Sequence, residues 1–65
     1  MKLTVNGDEH DLAAADLAEA LRLLELDSAV VATALNGAFV PAASRAATAL
    51  EDGDRIEIVS PRQGG

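Results

Sequence analysis

The sequence predicts an α+β domain, a mixed five-stranded sheet packed on one main helix, with a short tail behind it. Three observations lead there. Asn6-Gly7 and Asn36-Gly37 are dipeptides favoured in two-residue type I′ hairpins, and each lies between segments that read as strands. Between the two hairpins runs one stretch whose leucines recur at helical spacing. Behind them, Arg55 to Ser60 alternates apolar and polar residues as one further strand.

Each element has its own signal. Lys2-Leu3-Thr4-Val5 alternates with period two, so Leu3 and Val5 share a face. Asp8 to Leu12 returns as a short polar strand carrying His10 and Leu12, and its poor β propensity suits a sheet edge. Asp16 is a good helix N-cap, with Glu19 at capping-box spacing. Leu17, Ala20, Leu21 and Leu24 form one stripe while Glu19 and Arg22 point away; the helix should end near Glu25 or Leu26. A single amphipathic helix needs a partner surface, and the sheet supplies it. Val30 to Leu35 is apolar and β-branched and reads as a buried strand, and Ala38-Phe39-Val40 pairs back until Pro41 stops the ladder. Ala42 to Ala49 predicts a turn or one short helical turn, and Leu50 a plug at one end of the core. Asp52-Gly53-Asp54 is a tight turn, after which Ile56 and Ile58 face the core. The domain is expected over residues 1–60, with 61–65 as a flexible C-terminal tail.

Composition excludes several kinds of protein. Sixty-five residues make one small domain, too small to enclose a large active-site cavity. There is no cysteine, hence no disulfide, no Cys-based metal site and no thiol nucleophile, and the one histidine has no partner at metal-ligand spacing. The N-terminus has no apolar signal region and no run approaches membrane-spanning length, so a cytoplasmic globular protein with no membrane partner is expected. Eleven acids against five bases give a net charge of −6, with one lysine and one aromatic ring, Phe39. Nucleic-acid binding needs a basic face and stacking aromatics, and this chain offers neither. The acids are dispersed; one reading is solubility, the other steering toward a basic partner, with Asp52 and Asp54 expected as rim charges of that contact.

Conventional catalysis finds little support. His10 with Ser28, Ser44 or Ser60 could be drawn as a triad, yet no nucleophile elbow accompanies any of them. Gly7, Gly37 and Gly53 stand singly in turns, so no phosphate-cradling loop exists and the chain should bind no cofactor of its own. What remains is the end, Gly64-Gly65. One reading is an inert frayed tail. The other makes the α-carboxylate of Gly65 the reactive group: two residues without Cβ thread a narrow channel and adopt backbone angles closed to others. Attack of that carboxylate on the α-phosphorus of ATP would give an acyl-adenylate, with ATP and magnesium held by the partner. The chain is then a co-substrate and not an enzyme.

Three stretches carry a resemblance across the whole chain. They are Ala34-Leu35-Asn36-Gly37-Ala38-Phe39-Val40-Pro41, then Leu50-Glu51-Asp52-Gly53-Asp54-Arg55-Ile56-Glu57-Ile58-Val59, then Gln63-Gly64-Gly65. Their order and spacing resemble the ThiS family, the sulfur carrier proteins of thiamine thiazole biosynthesis. The resemblance implies the ubiquitin-like β-grasp fold. It also implies that a ThiF-type adenylating enzyme activates Gly65, and that a sulfur donor enzyme working from cysteine converts it to a thiocarboxylate. A ThiG-type thiazole synthase then accepts the sulfur. Arg62, Gln63 and Gly64 would thread into the partner active site. The family commonly follows Val-Pro with arginine and places tryptophan three residues on; this chain has Ala42 and Arg45, which bears on loop packing and partner choice. A MoaD-type carrier for molybdopterin synthesis and a ubiquitin-like protein modifier are the alternatives.

Overall fold

In the computed structural model, which describes residues 1–60, Asn6-Gly7 joins β1 (Lys2–Val5) to β2 (Asp8–Asp11), and Asn36-Gly37 joins β3 (Ala32–Leu35) to β4 (Ala38–Val40). All four turn residues have positive φ, 51° and 87° in the first hairpin and 51° and 88° in the second. That is the mirror-image turn whose twist matches the strands it connects. The last strand, β5 (Arg55–Val59), lies between the two hairpins, giving the order β2-β1-β5-β3-β4. It runs parallel to β1 and antiparallel to β3. This five-stranded mixed sheet with one helix is the β-grasp fold.

Two asparagine side chains complete the ladder around β5. Asn6 closes β1 by donating its backbone N–H to the Ile56 carbonyl, 2.9 Å. Its side-chain amide then donates to the Ile58 carbonyl at 3.0 Å and accepts from the Ile58 N–H at 2.8 Å. One amide thus stands in for a backbone rung beyond the point where β1 turns away. At the other end of β5 the rung is shared: the Asn36 backbone N–H donates to the Arg55 carbonyl at 2.7 Å, and its amide oxygen accepts from the Arg55 N–H at 2.9 Å. The Asn-Gly pairs therefore set the turns and also hold the central strand.

The helix α1 (Leu17–Leu23) opens as expected and closes early. Asp16 accepts from the Glu19 N–H at 2.8 Å, while the Glu19 carboxylate pairs with Arg22. The Leu17 N–H donates to the Thr48 carbonyl at 3.0 Å, and the Leu50 N–H to the Ala15 carbonyl at 3.0 Å, so a short antiparallel bridge ties the helix entrance to the segment before β5. At the other end Glu25 turns left-handed, φ 63°. The Glu25 N–H then reaches the Arg22 carbonyl and the Leu26 N–H the Leu21 carbonyl, a Schellman closure that also swings Leu26 onto the core. Leu24 is the C-cap: its N–H still donates to the Ala20 carbonyl at 3.0 Å, and its side chain packs against the core.

Leu3, Val5, Leu17, Ala20, Leu21, Leu50, Ile56 and Ile58 form the core between sheet and helix, with Leu50 in its expected place. The strand expected from Val30 begins only at Ala32, and Val30 is 75% exposed. The inward residue of β3 is Thr33, the one buried polar side chain among the described residues. The segment after Pro41 is a 3₁₀ helix, Ala42–Ala47, longer than one turn. No helix among the described residues is long and apolar enough to cross a membrane.

Two stability outcomes follow from these contacts. Asn6→Ala leaves both Ile58 backbone groups without their amide partner and puts alanine at a left-handed φ; urea unfolding should show a loss of about 2–4 kcal/mol. Asn6→Gly keeps the turn but not the amide, and should lose roughly half as much. Glu25→Gly places the residue best suited to the left-handed cap and should raise stability by about 0.5–1 kcal/mol, read as a thermal midpoint higher by a few degrees.

Candidate functional site

The sheet has two unlike faces because strand residues alternate. The inner face carries the core. On the outer face, the register of β3 sets Ala34 opposite Phe39 on one side and Glu57 on the other, and Ala32 opposite Val59. These side chains line a shallow groove of about 470 Å³ that reaches Asn6 and Gly7 at the β1–β2 turn. Phe39 is 69% exposed and Val59 61%, so two of the three most exposed large apolar side chains line this groove. Glu57 is the one charged residue lining the groove. Ala32 and Val59 form the last paired row of β5.

The expected tail residues Arg62, Gln63, Gly64 and Gly65 lie outside the described residues. His10 stands on β2 opposite Leu3, half-buried, and no hydrogen bond among the described residues joins it to Ser28, Ser44 or Ser60. No triad is assembled.

Asp52 and Asp54, expected as rim charges, have a structural role as well. The Asp52 carboxylate accepts from the Lys2 N–H at 2.6 Å, and the Gly53 N–H donates to the Lys2 carbonyl at 2.7 Å. Asp54 accepts from the Glu51 N–H at 2.8 Å and from the Asn36 amide at 3.0 Å. Both carboxylates hold the turn in place. They also sit before Arg55, at the opposite end of β5 from the groove and the tail.

Arg45 has a structural role that the sequence did not disclose. From the 3₁₀ helix its Nε donates to the Thr33 hydroxyl at 3.0 Å and its Nη2 to the Val31 carbonyl at 2.6 Å. The Thr33 hydroxyl in turn donates to the Val40 carbonyl at 2.8 Å. One guanidinium thus joins the 3₁₀ helix to the start of β3, and through Thr33 to β4.

The family model described as the ThiS family matches residues 3–65. The chain belongs to the ThiS family. The fold agrees: the crystal structure of the thiamine biosynthesis protein ThiS from Geobacter metallireducens matches with a TM-score of 0.83 and 33% identity, covering 100% of both chains. A protein of Paramagnetospirillum magneticum named thiazole synthase is 44% identical over 66 residues, which span all of this chain and 20% of that protein. The chain therefore spans about one-fifth of the length of that curated relative.

The outward residues of β5 are legible in the sequence: if Ile56 and Ile58 face inward, period two sends Glu57 and Val59 outward. For Arg45 no such signal existed, because its partners come from β3 and the loop before it.

Removing the guanidinium tests the account of Arg45. Arg45→Met keeps the apolar stem but leaves the Val31 carbonyl and the Thr33 hydroxyl without its donors. Thermal or urea unfolding should show a loss of about 1–3 kcal/mol.

Proposed function

We propose that this chain is a sulfur carrier whose working group is the Gly65 carboxylate. The observation that supports this most is that the ThiS family match runs through residue 65 and so includes the Gly-Gly tail. One carboxylate oxygen attacks the α-phosphorus of ATP on a ThiF-type enzyme, pyrophosphate leaves, and an acyl-adenylate results. A sulfide-equivalent nucleophile, supplied by a cysteine-consuming donor enzyme, adds to the acyl carbon, and AMP departs to leave the thiocarboxylate. A ThiG-type thiazole synthase accepts the sulfur and the carboxylate is restored. ATP and magnesium belong to the adenylating partner, and the chain acts as co-substrate throughout.

The described domain suits this work. The five residues 61–65 span at most about 18 Å when extended. An enzyme that reacts with Gly65 must therefore cover the surface around Val59. Arg62, Gln63 and Gly64 thread toward its active site, and glycine at 64 and 65 keeps the path narrow.

Deleting Gly65, or extending the chain by one residue, should abolish ATP–pyrophosphate exchange with the ThiF-type enzyme while circular dichroism stays unchanged. Retained exchange in either variant would refute the assignment of the carboxylate. With a sulfur source present, intact-mass and fragment spectra should show one oxygen exchanged for sulfur, confined to Gly65. Sulfur mapped to a side chain would rule the mechanism out.

A further inference from the structure

We infer that the outer-face row Phe39–Ala34–Glu57 is a slot for one arginine side chain, projected from an apolar ridge of the enzyme that adenylates the tail. The identity of that partner rests on the carrier reading above. The chemistry of the slot rests on the sheet itself.

Ala34 is the directly paired residue of both Phe39 on β4 and Glu57 on β5. Its methyl is the floor. The two walls stand on strands that flank β3 and are thus roughly 9–10 Å apart at the backbone. A planar guanidinium fits such a gap, with one face against an aromatic ring and its edge toward a carboxylate. Phe39 supplies the ring, 69% exposed and the sole aromatic of the chain. Glu57 supplies the carboxylate, and among the described residues no cation pairs with it. The nearby Asn6 amide is already engaged on both sides by Ile58. Ala32 and Val59 extend the apolar surface in the next row, which favours a cation carried on an apolar body over a free ion.

Three considerations select arginine. A purely apolar ridge would strip water from Glu57 and give it nothing in return, which is costly for a carboxylate. Lysine would answer the charge but is a strongly hydrated point charge with no planar face for Phe39. Arginine stacks on the ring and meets the carboxylate through two N–H groups at once. The net charge of −6 speeds the encounter with a basic surface, while Glu57 reads one residue of it at contact.

The test is ATP–pyrophosphate exchange by a ThiF-type enzyme as a function of the concentration of the full chain, with binding measured separately by calorimetry. Glu57→Leu removes the charge and enlarges the apolar surface. It should raise the apparent KM for the carrier at least about tenfold with kcat within about twofold, since truncating one partner of a buried charge pair mainly speeds dissociation. Ala34→Leu fills the slot and should act in the same direction. Glu9→Gln, which removes one charge from the same sheet face on β2, should leave KM within about twofold because exposed single charges contribute little. Thermal unfolding checks that each variant folds, and Glu57→Leu decides the matter if Ala34→Leu does not. If Glu57→Leu binds as well as the unaltered chain, or better, the groove is a plain apolar contact and the slot is wrong. If the unaltered chain supports no exchange at all, the carrier reading fails and this assignment of the partner falls with it.

Discussion

The fold depends on one insertion: the last strand enters the middle of the sheet, between hairpins made much earlier in the chain. β5 lies between β1 and β3, and the contact from Asn6 to Ile58 joins residues 52 apart in sequence. Without it the molecule is two separate hairpins and a seven-residue helix, none of which is stable alone. The closing entropy of so long a loop is offset only when Ile56 and Ile58 reach the core and the ladder on both sides is complete. The two asparagine amides matter because they supply rungs where the neighbouring strands have already turned away.

The same insertion fixes where β5 ends. Held on both sides, the strand stops at Val59 against Ala32. The two ends of β5 are also chemically distinct. At its start Asp52 and Asp54 are engaged with backbone and Asn36, which makes the acidic turn a piece of scaffold. At its finish lies the apolar groove with Glu57 within it. Scaffold and groove are thus separated along five residues.

Arg45 shows how one polar side chain can fix the segment after Pro41. The guanidinium does so by supplying donors to a hydroxyl and a carbonyl that converge at the start of β3. Thr33 is the companion to this choice: a buried hydroxyl needs partners, and it has one donor in Arg45 and one acceptor in Val40. The 3₁₀ helix has no buried residue of its own, so these hydrogen bonds and its contact with α1 hold it to the domain.

Much was legible from local chemistry. The hairpin turns followed from Asn-Gly, because few other pairs accept two positive φ values, and the helix start followed from Asp16. The core faces of β1, β5 and α1 followed from spacing alone, and the three quoted motifs were enough to indicate the family. Local chemistry failed where a residue answers to partners distant in sequence. The helix stopped at Leu23 because Glu25 turned left-handed to bring Leu26 onto the core, although glutamate carries no signal for that conformation. Val30 looked like core and is exposed, since hydropathy says nothing of where pairing with β5 begins. Asp52 is exposed yet also bonds to β1, and Asp54 to Asn36, contacts that local charge does not announce. The amino-acid sequence by itself determined the elements, their inward faces and the Gly-Gly end, all of which arise from spacings of a few residues. Tertiary structure alone decided which carboxylates are scaffold and which one lies in a groove, because that distinction depends on strands brought together from opposite ends of the chain.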